Sequence, residues 1–356
     1  MGHGGDIYRN KIKLDYSVNT NPFGVSEEVK SALKEAVERV GQYPDVRCEE
    51  LKKYIGEKEG IEENLITCGN GAAELLYSIV LAYYPKHTVL TDLAFSEYAR
   101  ALSTINCETV YYPLKEEMGF QIDEAYLDFL QEKKTNMVIL CSPNNPNGAV
   151  LEKSIFQKIA EYTKEKDILL VVDECFIEFV EGYENESVKS FLKSNPQMIL
   201  LKAFTKIYAM PGVRLGYAMS SNQEIIQKIE SVRQAWNVSI FAQEAGIAAI
   251  KSGYKHEKLT SHIAKERVYL KEKLEELGCK VFPSKVNFLL FYTEIDFYNL
   301  LLEEGILIRD CSDYHGLKKG YYRIAIKLHE ENEELIRHMQ KITTKRRGDN
   351  TWQNQL

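Results

Sequence analysis

The sequence predicts an α/β protein in which a mostly parallel, doubly wound sheet forms a larger domain and a smaller α+β domain follows it. Three observations carry this. Between residues 64 and 220, short β-rich runs alternate with helical patterns, the signature of βαβ units. The runs ILLVV and MVIL are continuously apolar, as in strands covered by helices on both faces. The length of 356 residues with 44% apolar content suits about two domains with filled cores.

Each element follows in order. Residues 1–30 are too few for a domain and read as an arm packed on the smaller unit. The larger domain, 31–237, holds HTVLTDL before FSEYARALSTIN, NMVILCSP before SIFQKIAEYTKEK, and DILLVVDE before a loop and MILLKAF. Past Gln223 the helical pattern EIIQKIESVRQAWN closes it. The smaller domain, 238–343, pairs the helix EKLTSHIAKERVYLKEKLEELG with the short strands KVFPS, NFLLFY, ILIRD and YYRIAIK. Residues 344–356 are polar and aperiodic, a tail expected to be mobile.

Composition excludes several functions. With 45 basic and 52 acidic groups the net charge is −7, so no basic excess is available for a polyanion and no nucleic acid partner is expected. The seven cysteines never occur as CxxC, so neither a disulfide framework nor a metal site is expected, and a reducing cytoplasm fits. No apolar run approaches the ~18 residues of a membrane span and the start MGHGGDIYRN lacks an apolar core, so no membrane partner and no export are expected.

Ligands in open α/β sheets sit at the carboxyl ends of the strands, so the residues just after each strand belong together. After NLITC comes Gly69-Asn70-Gly71-Ala72-Ala73-Glu74, where small residues let backbone N–H groups and a helix start approach an anion. After NMVILC comes Ser142-Pro143-Asn144-Asn145-Pro146-Asn147-Gly148, and after ILLVV come Asp173 and Glu174. Ala203-Phe204-Thr205-Lys206 follows the fourth strand, with Arg214 eight residues past the lysine. A lysine able to form a Schiff base, a carboxylate for a pyridinium nitrogen and a cationic phosphate cradle are together what pyridoxal phosphate requires. A nicotinamide oxidoreductase has only GNGAAE and Asp92, about 20 residues on, in its favour. A non-enzymatic regulator would need a basic DNA-reading segment, which the chain lacks.

The ordered series NTNPFG, YPD, GNGAAE, SPNNPNG, VVDE, TKIYAMPGVRLGY, NFLL and YYRIAI resembles the fold-type I pyridoxal-phosphate enzymes of the histidinol-phosphate aminotransferase type over nearly the whole chain. The resemblance implies the following. Lys206 would join the cofactor's aldehyde and then move protons at the substrate's Cα. Asp173 would pair with the pyridine nitrogen, Asn145 would bond the ring hydroxyl, and Phe95 would stack on the ring. The backbone of Ala72 and Ala73, with Thr205 and Arg214, would hold the phosphate. The sites of such enzymes lie at a homodimer interface, where Tyr43 would reach the neighbouring phosphate. Arg323 would grip the substrate's α-carboxylate and Asn21 would line the substrate pocket.

Within that family, GILIRDCSDYHGL followed by YYRIAI, the amino-terminal HGGDIY and the lysine context TKIYAMPG resemble the branch that decarboxylates threonine phosphate for cobalamin synthesis. Phe176, three residues after Asp173, stands where the aminotransferases place a tyrosine, and leaves the ring hydroxyl with Asn145 alone. Arg309 and Arg323 can offer two forks to two anionic groups, which implies a small phosphorylated amino acid as substrate. His3, Gly4 and Gly5 would add a phosphate nest. An aminotransferase acting on histidinol phosphate, dependent on 2-oxoglutarate, is the alternative. Asn147 and Ala203 depart from the family's usual threonine and serine, so one hydrogen bond to the phosphate is in doubt.

Overall fold

The computed structural model describes residues 4–353, with side chains to residue 345. The chain opens with strand β1 (Leu14–Asp15) and two helices, Glu27–Ala36 and Glu49–Glu59. Ser26 caps the first of these, its side chain accepting from Val29 N, with Glu27 and Glu28 in the first turn. Seven strands then build the main sheet: β2 (Ile66–Gly69), β3 (His87–Thr91), β4 (Glu108–Tyr112), β5 (Met137–Cys141), β6 (Leu169–Asp173), β7 (Met198–Ala203) and β8 (Gly216–Met219). Their order is β2-β8-β7-β6-β5-β3-β4. The five strands β3 to β7 are mutually parallel, while β8 runs antiparallel to both β7 and β2. The return from β7 to β8, residues 204–215, holds the short helical turns Phe204–Ile207 and Pro211–Val213 and brings β8 back antiparallel beside β7.

The continuous apolar runs are explained by the two faces of this sheet. Met137, Ile139, Leu169 and Val171 pack with the helix Gly71–Tyr83 in one core cluster, whereas Val138, Leu140, Leu170 and Val172 face the other. Residues of both parities are therefore buried along β5 and β6, apart from the half-buried Cys141 at the tip of β5. On the second face lies a buried polar cluster. Glu59, 6% exposed, meets Lys202 at 3.1 Å, Lys189 at 2.9 Å and the Tyr217 hydroxyl at 2.6 Å. Burial pushes the Glu59 carboxyl up, but Lys202, Lys58 and Lys189 outweigh it and hold it down at about 2.

Beyond the helix Gln223–Val232, the helix Ile240–Ser252 packs on Glu27–Ala36 and Glu49–Glu59. The 21-residue helix His256–Glu276 leads into β9 (Lys280–Val281), β10 (Phe288–Tyr292), β11 (Ile306–Leu307), β12 (Arg309–Asp310) and β13 (Tyr321–Ala325). A second sheet of order β12-β13-β10-β9 is antiparallel, and β11 pairs in parallel with β1. The run expected as one strand, ILIRD, thus divides at Ile308 and serves two sheets. The amino-terminal arm reaches this second sheet through β1 and through Ala325 N donating to Tyr16 O at 2.9 Å.

Several elements have no counterpart among the expected ones, among them the helices Glu27–Ala36, Glu49–Glu59 and Ala125–Glu132, the edge strand β4 and the helix Ile240–Ser252. The final helix, His329–Gln353, runs through most of the segment expected as a mobile tail; residues 354–356 lie outside the described residues. Among the described residues no helix is long and apolar enough to cross a membrane.

Candidate active site

A cavity of about 300 Å³ opens where the tips of β5, β6 and β7 meet the helix Gly71–Tyr83 and the second sheet. This is the position at which an open α/β sheet offers its loops. Lys206 enters it from a four-residue helical turn, Phe204–Ile207, placed directly after β7. Its amine makes no hydrogen bond to the described residues and lies 5.7 Å from the Phe176 ring centroid. Burial, assisted by Arg323 and Arg214, holds the amine down at about 8 from its ordinary 10.5. A lysine so placed carries a useful neutral fraction near neutral pH.

Asp173 ends β6 and is 8% exposed. Its Oδ2 accepts from the Tyr98 hydroxyl at 2.7 Å and its Oδ1 from Cys175 N at 2.9 Å, so the carboxylate is held in one orientation. Tyr98 comes from the helix Ser96–Ser103, just after Phe95, and the two rings meet edge to face at 5.8 Å. Phe95, Asp173 and Lys206 all line the cavity.

The anion cradle is built from the helix start at Gly71. The first-turn amides of Ala72 and Ala73 have no intrahelical acceptor, and both residues line the cavity with Thr205 and Arg214. Glu74 folds back on the turn and accepts from Asn70 N at 3.1 Å and Asn237 Nδ2 at 2.9 Å. Gly71 adopts φ +81°, and a Cβ there would come 2.4 Å from Arg214 Nη2. Arg214 is itself left-handed at φ 60°, exposed, and held only by long contacts to Asn70 O (3.4 Å) and Pro211 O (3.5 Å).

The opposite wall carries the two arginines, which face each other in register on β12 and β13. Arg323 donates through Nη2 to Ser17 O at 2.8 Å and through Nη1 to Asn145 Oδ1, while its buried Nε has no partner among the described residues. Arg309 pairs with Asp313 at 2.7 Å and lies over the Tyr314 ring at 5.5 Å. Gly4, Ser17, Val18 and Asn19 of the arm complete this side. Gly4 lies so near Ser17 that a Cβ would meet its carbonyl oxygen at 2.3 Å.

The structure therefore gathers Lys206, Asp173, Ala72, Ala73, Phe95, Asn145, Thr205, Arg214, Gly4, Arg309 and Arg323 around one cavity. Three expected residues stand apart. His3 lies outside the described residues. Tyr43 is 79% exposed, tilted against Trp236 with centroids 4.7 Å apart, and does not line this chain's own cavity. Asn21 is not in the wall either, and this corrects the expectation: its Nδ2 bonds Ile207 O at 2.9 Å, its Oδ1 accepts from Phe23 N at 3.0 Å, and its N–H bonds Lys206 O at 2.9 Å. It braces the lysine turn from behind, and Asn19, two residues earlier, lines the cavity with its buried Oδ1 unpartnered. Asn19, Tyr98 and Tyr314 were not among the expected site residues, although all three sit inside quoted motifs, NTNPFG, FSEYARALSTIN and GILIRDCSDYHGL.

The family model described as aminotransferase class I and II matches residues 11–339. The threonine-phosphate decarboxylase of Salmonella typhimurium is 32% identical over 93% of this chain and 91% of its own. Histidinol-phosphate aminotransferase 2 of Archaeoglobus fulgidus is 33% identical over 94% of each. The crystal structure of the histidinol-phosphate aminotransferase from Clostridium acetobutylicum superposes with a TM-score of 0.86 at 31% identity, covering 93% of this chain and 99% of that one. The chain belongs to the class I and II aminotransferase family, with the fold-type I architecture. It is a pyridoxal-phosphate-dependent enzyme.

The residues present fit that cofactor. The cavity offers a cradle at Gly71 that any Cβ would narrow, unpaired first-turn amides, an amine of lowered basicity and a carboxylate fixed by two donors. On the far side, the orphaned Arg323 Nε and Asn19 Oδ1 are buried polar atoms awaiting a ligand's acceptor and donor.

Proposed function

We propose that this enzyme decarboxylates L-threonine O-3-phosphate to (R)-1-amino-2-propanol O-2-phosphate and carbon dioxide, in the service of cobalamin biosynthesis. The observation that carries the reading is the pair Arg309 and Arg323, opposed in register on the cavity wall. One arginine suffices for an α-carboxylate, so two forks suit a substrate with a second anionic group. The similarity to a threonine-phosphate decarboxylase supports it.

Pyridoxal phosphate, when bound, supplies the electron sink that accepts the pair left by the bond broken at the substrate's Cα. The chain's residues select and complete the step. Arg214, Thr205 and the amides of Ala72 and Ala73 would hold the cofactor's phosphate, and Asp173 would keep the proton on the ring nitrogen. Arg309 and Arg323 would fix the substrate by its two anions and so would decide which bond at Cα is presented to the cofactor's electron sink. Remote binding of the side-chain phosphate would draw the carboxylate into a poorly hydrated wall. As the bond to the carboxylate breaks and carbon dioxide leaves, Lys206 would deliver the proton to Cα. We further propose a homodimer in which Tyr43 reaches the partner's phosphate cradle. Val37, Val40, Tyr43 and Trp236, exposed around this ring pair, support a covered surface there.

A comparable identity to a histidinol-phosphate aminotransferase favours a second reading, transamination of a phosphorylated amine. The purified holoenzyme incubated with L-threonine O-3-phosphate separates the two. Carbon dioxide stoichiometric with substrate and independent of 2-oxoglutarate supports decarboxylation, whereas a carbonyl product that requires 2-oxoglutarate rejects it. Lys206→Ala is expected to abolish both turnover and the visible absorbance of the holoenzyme.

A further inference from the structure

Asn145 stands in the cavity wall with one end of its amide already engaged. Its Oδ1 accepts from Arg323 Nη1 and from the Tyr314 hydroxyl at 3.3 Å. Arg323 fixes which way the group is turned, because its guanidinium can only donate and the reversed amide would set N–H₂ against it, and the Tyr314 hydroxyl adds a second donor to the oxygen so placed. The Nδ2 end is then the one offered elsewhere, and among the described residues it meets no acceptor.

Tyr314 arrives at this point from the other sheet. It lies in the turn between β12 and β13, 8% exposed, with its ring beneath the Arg309 guanidinium. Burial pushes its phenol up to about 12, so at neutral pH the hydroxyl is a donor. The turn is seated firmly on the main sheet's edge. His315 stacks on Tyr111 of β4 with centroids 4.1 Å apart and planes at 9°, and a Cβ at Gly316 would meet Asp92 Oδ2 at 2.6 Å. Phe176, which also lines the cavity, has no hydroxyl to share the task.

We propose that Tyr314 is a positioning residue which, with Arg323, locks the Asn145 amide so that Nδ2 donates to the ring oxygen of the cofactor. This rests on the cofactor site described above and assigns a job to a side chain of the β12–β13 turn. A donor at the ring oxygen draws negative charge onto it and weakens the hold on the proton shared with the lysine nitrogen. Loosening the donor must therefore raise the pH at which that proton leaves.

The test is a spectrophotometric pH titration of the holoenzyme's visible band in four proteins: the parent, Tyr314→Phe, Asn145→Ala and the double variant. Tyr314→Phe keeps the ring under Arg309 and removes only the hydroxyl. We expect the apparent pKa to rise by ~0.5–1 unit in Tyr314→Phe, with little further rise when the change is added to Asn145→Ala. With L-threonine O-3-phosphate, kcat should fall ~10-fold while KM stays within ~3-fold. A Tyr314→Phe titration that superimposes on the parent's overturns the proposal, as does a shift of equal size in both backgrounds, which would mean that Tyr314 acts without Asn145. A parent protein that gains no visible band with pyridoxal phosphate overturns the cofactor site itself, so the two failures are told apart.

Discussion

The hydroxyl of Tyr98 donates to Asp173 Oδ2 at 2.7 Å, from a helix that begins beside the cavity-lining Phe95. One short helix thus presents an aromatic face to the cavity and orients the carboxylate at its floor. Removing the hydroxyl in Tyr98→Phe takes away a hydrogen bond to a charged group, worth roughly 1.5–3 kcal/mol. Cofactor affinity, followed by the visible band during dialysis, is expected to fall about tenfold or more, with the far-ultraviolet circular dichroism unchanged.

The lowered basicity of Lys206 sets the pH dependence of cofactor capture. The neutral amine is the nucleophile, and it is the form present above the pKa. The rate at which cofactor-free protein combines with pyridoxal phosphate should therefore rise through about pH 8, not through the 10.5 of an ordinary lysine. Burial is the main cause and Arg323 the next, so Arg323→Gln should move the midpoint upward. A midpoint near 10 in the parent protein would contradict the cavity's electrostatics.

Two glycines of the phosphate cradle should respond differently to a methyl group. At Gly71 an added Cβ faces the mobile end of Arg214 at 2.4 Å and the backbone is left-handed, so Gly71→Ala displaces the guanidinium and costs about 1–2 kcal/mol of backbone strain. At Gly216 it faces the backbone nitrogen of Ala72 at 2.5 Å, which cannot yield without moving the helix. Gly71→Ala is expected chiefly to weaken cofactor binding. Gly216→Ala should chiefly lower the melting temperature, and calorimetry alongside cofactor titration distinguishes the two.

Under the sheet, the Glu59 and Lys202 pair is buried on both sides, with side chains 3% and 4% exposed. Glu59→Gln leaves Lys202 charged without its partner and should cost about 3–5 kcal/mol in denaturant unfolding. Because the folded carboxyl is held down at about 2 against an ordinary 4.5, the parent's stability from this group is complete above pH 4.5 and is lost as the pH falls toward 2. The variant should lose that part of the acid dependence.

What sequence alone conveys here follows from which signals are local. Strands β5, β6 and β7 announce themselves because both faces are apolar, and the residues at their tips, Asn145, Asp173 and Lys206, then fall beside one another by topology. Strand β4 sits at the sheet edge, where ETVYY has no continuous apolar run, and the helix Ile240–Ser252 mixes small and apolar residues with Gln243, Glu244 and Lys251 in no clear two-faced pattern. The exchange of Asn21 for Asn19 at the cavity could not be read from spacing, since it depends on which side of the arm the lysine turn packs. Tyr98 and Tyr314 act on other side chains and carry no motif chemistry of their own.

The opposition of Arg309 and Arg323 across β12 and β13 has a consequence for the protein's lifetime. Like charges placed directly across an antiparallel pair repel; Asp313 answers one of them, and among the described residues no carboxylate answers the other. An unliganded molecule therefore carries an electrostatic fault in its second sheet, which the dianionic substrate proposed above would repair. Saturation at a hundredfold over the dissociation constant adds ~2.7 kcal/mol to folding, so scarcity of the metabolite would leave the enzyme easier to unfold and faster to be degraded.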